Sequence, residues 1–249
     1  MTLPLHDMRY AIFSDIHSNL EAYEATMAAM KKEGADSYYC AGDIVGYGAD
    51  PAECISKTKE LAPKIVAGNH DWAAVGLADI TCFNPSAKEA VLWTADALGR
   101  EDKKYLKGLR PVERGDFVLV HGSLNRPEEF EYILNFDTAH KTFLLMEEFD
   151  ICFIGHTHVA GVWVENSEGR IGYNPSLQVK LEEGKKYIVN VGSVGQPRDN
   201  DPRAAYCIYD TDEKTVEIKR VAYDIKTAQG KIIDAGLPKG LAKRLSSGT

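Results

Sequence analysis

The chain has 249 residues, 44% of them hydrophobic and 27% charged, with a formal net charge of −8 at neutral pH. That length supports one large domain with a substantial core, and the charge argues against a broad basic surface that grips duplex nucleic acid by its phosphates. No apolar stretch approaches the length needed to span a membrane, and the start MTLPLHDMRY lacks the basic and apolar regions of a secretory signal.

In chain order, YAIFSDIHSN (10–19) is a short apolar run that ends abruptly in polar residues. Near-continuous runs of this kind read as strands buried on both faces. A helix is expected over 20–30, where Leu20, Tyr23, Met27 and Met30 form one stripe. SYYCAGDIVG (37–46) repeats the strand pattern, and a second helix opens with Asp50 as N-cap, Pro51 at the first helical position and Glu53 completing a capping-box-like pattern. KIVAGNHDW (64–72) follows, then a helix from Asn84–Pro85 to about Leu98. FVLVHGS (117–123), a helix over roughly 138–149, ICFIGHTH (151–158) and YIVNVGS (187–193) extend the series.

After His158 the pattern shifts to short strands separated by Gly, Pro, Asn and Asp (GVWVEN, RIGYN, KYIVNV, RAAYCIYD, TVEIKRVAYD), as in antiparallel hairpins. The tail from Ile225 reads as helical. Alternating strands and helices imply parallel pairing, so the expectation is α/β: one domain over 1–249, with two packed mixed sheets and helices outside. Five cysteines (Cys40, Cys54, Cys82, Cys152, Cys207) include no CxxC pair. They are expected to be reduced, with Cys40, Cys152 and Cys207 in the core, which suits a cytoplasmic location.

The polar tips of the apolar runs supply Asp15 and His17, Asp43, Asn69 with His70 and Asp71, His121, and His156 with His158. In a parallel sheet, ligands bind at these carboxyl ends. Five of the seven histidines fall in this set, leaving His6 and His140 outside it. Carboxylate, imidazole and amide ligands together suit a borderline divalent ion: Mn foremost, with Fe, Zn or Ni also fitting. Taken singly, Asp43 and Asn69 also read as turn residues and His121 as a strand-end residue. With His70 and Asp71 set aside, seven side chains remain, and one bridging carboxylate would give four protein ligands to each of two metals.

DIH (15–17), GD (42–43), GNHD (68–71), HG (121–122) and GHTH (155–158), in that order, resemble the signature of the calcineurin-like metallophosphoesterases. GSVGQPRD (192–199) is similar to a segment of the smaller bacterial members. The resemblance implies a four-layer αββα sandwich with the metal site at the C-terminal ends of the central strands. It assigns one metal to Asp15, His17, Asp43 and His158, and a second to Asp43, Asn69, His121 and His156. It sets His70 against the leaving oxygen, with Asp71 orienting that ring or supporting the fold.

The activity implied is hydrolysis of small phosphodiesters or phosphomonoesters, nucleotide-like ones included, by metal-bound hydroxide. Phosphoprotein phosphatases and dinucleoside polyphosphate hydrolases of the superfamily share that centre, but there GD is followed by a phosphate-gripping arginine, whereas GDIVGYG has none. A non-catalytic scaffold would have lost ligands, and no HExxH motif marks a peptidase. Candidate substrate contacts are Tyr47, which can also simply pack, Arg126 and the aromatics of the segment 123–138, for which a surface loop over the sheet end is the alternative, and Arg198. Arg203 is a further candidate; surface ion pairs are the alternative for both later arginines.

Overall fold

Successive residues of the central strands face opposite apolar layers, and this places three such layers around two sheets. The computed structural model describes residues 8–249; His6 lies outside them. Its strands are β1 Arg9–Phe13, β2 Ser37–Cys40, β3 Lys64–Ile65, β4 Val112–Arg114, β5 Val118–Val120, β6 Ile151–Ile154, β7 Gly161–Glu165, β8 Ile171–Asn174, β9 Gln178–Lys180, β10 Lys186–Asn190, β11 Ala204–Asp210 and β12 Thr215–Val221. Its helices are α1 Leu20–Lys32, α2 Pro51–Leu61, α3 Asn69–Ala73, α4 Pro85–Ala97, α5 Arg100–Lys107, α6 Phe136–Leu145, α7 Ile225–Asp234 and α8 Lys239–Leu245.

One six-stranded sheet has the order β3-β2-β1-β11-β12-β9, the other β4-β5-β6-β10-β7-β8. Each contains a parallel trio: β1 with β2 and β2 with β3 in the first, β5 with β6 and β6 with β10 in the second. The remaining strands pair antiparallel, including the hairpins β11–β12 and β7–β8. YIVN therefore does both things its sequence suggests, running parallel to β6 on one side and antiparallel to β7 on the other.

Along β1, Tyr10 and Ile12 join a cluster with Phe117, Phe153, Val189 and Cys207 between the sheets, while Ala11 and Phe13 face α1 and α2 with Tyr23 and Cys54. Along β6, Ile151 and Phe153 face inward, and Cys152 and Ile154 face α6 with Ala139 and Phe143. A period of two with both faces apolar gives sheet on sheet with a helical layer outside each. The order is αββα. All five cysteines are free, and only Cys82 is exposed.

Local signals set most helix ends. Asn19, Asn84 and Asn135 each accept a first-turn N–H, from Ala22, Ala87 and Thr138. Asn135 moves the start of α6 to Phe136, and the helix stops at Leu145 rather than near Phe149. The expected capping box at Asp50 does not form: Asp50 makes no cap bond, and its carboxylate instead binds Lys231 of α7 at 2.9 Å. The tail is two helices, separated at Gly236, whose φ of 73° ends the first.

Candidate metal centre

The residues after β1, β2, β3, β5 and β6 converge where the two parallel trios meet. Asp15, His17, Asp43, His156 and His158 all have positive φ, between 48° and 68°. Left-handed backbone costs a non-glycine residue about 1–2 kcal/mol, so the surrounding contacts must hold these loops in place. Two glycines make the fit possible. A Cβ at Gly155 would overlap the side chains of Ser14 and Asp15, and one at Gly68 would overlap the Asp43 carboxylate.

Each aspartate divides its oxygens between two tasks. Asp15 Oδ2 accepts the His156 N–H at 3.0 Å and Asp43 Oδ1 accepts the His70 N–H at 2.8 Å. The other oxygens, Asp15 Oδ1 and Asp43 Oδ2, are buried without a hydrogen-bond partner. His158 Nε2 stands 3.3 Å and His17 Nε2 3.6 Å from Asp15 Oδ1. Asp43 Oδ2 lies 3.6 Å from His17 Nε2 and 3.2 Å from His121 Nε2, so it faces both halves of the cluster. Asn69 Oδ1 is 3.2 Å from His121 Nε2, and His156 belongs to the same group as Asp43 and His121.

The imidazoles are aimed from behind. His17, His121 and His158 donate from Nδ1 to the carbonyls of Val45 (3.1 Å), Ala41 (2.6 Å) and Gln196 (2.6 Å). A carbonyl only accepts, so each neutral ring keeps its proton on Nδ1 and turns a lone pair inward at Nε2. His17 Nε2 and His158 Nε2 are then only 3.1 Å apart, a spacing that calls for a shared cation.

Electrostatics agree. Burial opposes ionisation of Asp15, but His158, His17 and His121 outweigh it and hold its carboxyl well below the usual range. Asp43 is lowered in the same way, against burial, chiefly by His121 and His70. Burial also opposes protonation of His121, yet Asp43 and Asp15 push that ring up to about 9. Positive charge is wanted between the carboxylates and the imidazoles, and a divalent ion supplies it.

His70 and Asp71 do not form a pair. The His70 ring is buried beside Tyr47 (4.4 Å between centroids) and Phe83 (4.9 Å), and its Nδ1 has no partner. Burial pushes its pKa down to about 3, with Asp43 pulling the other way, so the ring is neutral. Asp71 takes the fold-supporting option instead. Its oxygens accept N–H groups from Asp43, Ile44, Val45 and Gly68, at 2.9 to 3.2 Å. Burial and the charge of Asp43 raise its carboxyl to about 7, although Gly68 and Val45 work against this.

Tyr47 is nearly buried, packed on the rings of His17 and His70, and accepts a hydrogen bond from Arg198 Nη2 at 3.2 Å. Arg198 also donates to Gln196 Oε1 at 3.0 Å. Arg126 does not reach the site: it is exposed and paired with Glu129 at 3.1 Å. Arg203 pairs with Asp201 at the surface, and His140 is exposed beside Glu165. The segment 123–138 does border the centre, through Phe130 and Tyr132 in the wall of a cavity of about 440 Å³ that also includes Asn69, His70 and His156.

Tyr132, one of the aromatics of 123–138, stacks on His156 at 3.7 Å, whereas sequence reasoning missed Asn190, whose amide holds Gly155 O and Thr157 Oγ1. The polar Asn190 at the end of the apolar run YIVN was the available signal.

Residues 8–214 match the Calcineurin-like phosphoesterase superfamily domain. An uncharacterised protein of Methanocaldococcus jannaschii is 38% identical over 243 residues, 96% of this chain and 97% of its own. The crystal structure of a metallophosphoesterase from Sphaerobacter thermophilus has a TM-score of 0.85 at 38% identity, over 98% of this chain and 100% of that one. A hypothetical protein from Pyrococcus horikoshii shares the fold, with a TM-score of 0.77 at 22% identity and coverage of 97% and 98%. The order of the loop motifs, the two-sheet sandwich and these likenesses agree: the chain belongs to the calcineurin-like phosphoesterase superfamily.

Proposed function

We propose that this protein is a phosphoester hydrolase, as membership of the superfamily implies, and that it acts on small phosphodiesters or phosphomonoesters through two divalent ions. One ion would be held by Asp15, His17, Asp43 and His158, the other by Asp43, Asn69, His121 and His156. The observation that carries this reading is the pair of unpartnered buried oxygens, Asp15 Oδ1 and Asp43 Oδ2, facing imidazole Nε2 atoms at 3.2 to 3.6 Å. Buried carboxylates without partners are costly unless paired or bound to metal. Mn is the first choice, with Fe, Zn or Ni acceptable to the same ligands.

Bound there, the two ions neutralise phosphate charge and lower the pKa of a coordinated water towards about 7. The chain supplies the rest. Asp43 and Asp15 leave part of the positive charge unbalanced, which draws an anionic ester into an otherwise acidic protein. His70 sits at the cavity wall and gives a proton to the departing oxygen. Because the ring is neutral in the free protein, this role needs its basicity to rise when an anionic substrate lies beside it. Arg198, held by Tyr47 and Gln196, supplies the guanidinium that GDIVGYG lacks. The free thiols fit a cytoplasmic setting, and no helix of the described residues is long and apolar enough to cross a membrane.

The test is hydrolysis of aryl phosphate mono- and diesters by the purified protein with Mn, Ni, Zn and Mg, before and after chelation. Metal-dependent turnover of either ester class supports the reading. Absence of both tightly held metal and turnover of any ester would instead point to a scaffold.

A further inference from the structure

The cavity beside His70 has a charge pattern of its own. Asn69, His70 and His156 border it on the side of the metal centre, and Leu77, Phe83, Phe130 and Tyr132 supply apolar wall. Two of these aromatics also back site rings: Phe83 lies 4.9 Å from His70, and Tyr132 stacks on His156. The charged residues in the lining are Asp79, Glu128 and Glu129, and no Lys or Arg is among them. Arg126 offsets Glu129 from outside at 3.1 Å, which leaves Asp79 and Glu128 without an ion-pair partner among the described residues. Near the centre, the cations Arg198 and Arg244 gather instead on Gln196 Oε1, at 3.0 and 3.1 Å, and do not line the cavity.

We infer that this cavity receives the alcohol leaving group of the substrate, and that this alcohol is apolar or aromatic, uncharged or cationic, with no second phosphate or carboxylate. The inference rests on the phosphoesterase reading and narrows its substrate class. The candidate ligands Asn69 and His156 border the cavity together with His70, so an ester held at the centre with its departing oxygen towards His70 extends into this space. A volume of about 440 Å³ is within the range of small-ligand pockets and accommodates a ring-sized alcohol. Aromatic walls attract a flat or cationic group. Rim carboxylates repel an anion, although the charge of Lys88 acts on Asp79, so selection works by repulsion as well as attraction. A leaving group with a polyphosphate tail is disfavoured on the same ground.

Three methyl aryl phosphodiesters test this, their phenols carrying para-methyl, para-aminomethyl or para-carboxymethyl groups. The methylene spacer keeps the leaving-group pKa values close. The expected kcat/KM for the neutral and cationic esters is at least about tenfold above that for the anionic one, a factor equal to about 1.4 kcal/mol. The gap should shrink in high salt as the rim is screened. Asp79→Asn combined with Glu128→Gln should raise the anionic-to-neutral ratio about threefold or more. Turnover of the anionic ester as fast as the neutral one overturns the inference and leaves the phosphoesterase reading standing. If only the matching aryl phosphomonoesters turn over, the same ratios are read on them; no turnover of the diesters or of those monoesters, with any metal, contradicts both.

Discussion

Asp43 faces both halves of the centre: Oδ1 fixes the His70 backbone while Oδ2 faces His17 and His121. Asp43→Ala should therefore cost both metals, whereas His156→Ala and His158→Ala should each leave about one per chain by elemental analysis, the remaining ion differing between them. His70→Ala should keep both metals and lower kcat by about 10²- to 10⁴-fold on an alkyl phosphodiester, the usual worth of a positioned acid. An equal loss on an ester with an acidic phenol, which needs no proton to leave, would count against the proton-donor role. The candidate ligands were legible because their chemistry sits in short stretches at the ends of apolar runs. Side-chain direction was not: Arg126 has a φ of 52°, and the turn that follows carries Glu128 and Glu129, not the arginine, to the cavity.

Beside the bond from His70 to Asp43, one residue ties the short helix α3 to the loop after β2 several times over. Asp71 on α3 accepts N–H groups from Asp43, Ile44 and Val45 in the loop and from Gly68 at the helix start. Asp71→Ala strands these buried donors and should destabilise the fold by about 3 kcal/mol or more, at about 1–3 kcal/mol for each group left unsatisfied. Asp71→Asn should be nearly as damaging, because an amide NH₂ would face donors in place of one oxygen. Denaturant unfolding of the metal-free variants measures this, and an Asn variant as stable as wild type would contradict it. Gly155→Ala should likewise lose metal, since its Cβ would overlap the Asp15 side chain. Most strands were readable from apolar runs, and the starts of α2 and α4 from Pro51 and from Asn84 with Pro85. What escaped was tertiary: α3 is too short to show a period, and Asp50 serves Lys231 181 residues away rather than its own helix.

The whole molecule is needed to make the centre. Asp15, His17, Asp43 and Asn69 come from loops of one sheet, and His121, His156 and His158 from loops of the other. The bond that joins His156 to Asp15 spans 141 residues, and the segment after β10 locks the same corner through Val194 and Gly195 to Ser14 and Asp15. Ions bound between the sheets should stabilise the native state by mass action, about 3–4 kcal/mol at 100 to 1,000 times Kd. Chelation should then lower Tm by roughly 5–15 °C, using about 2–4 °C per kcal/mol for a chain of this size. The layered fold was visible in the change from buried runs to hairpins after His158. The pairing of the two sheets was not, because nothing local in β1 or β6 specifies which residues will face each other.

The two-metal phosphoester hydrolase is tested most directly by titrating Mn into chelator-treated protein while following hydrolysis of an aryl phosphodiester and of the matching monoester. Activity that returns in proportion to metal and saturates at two equivalents per chain is the predicted result. Activity that saturates at one equivalent, or that never appears with Mn or any other divalent ion, would contradict it.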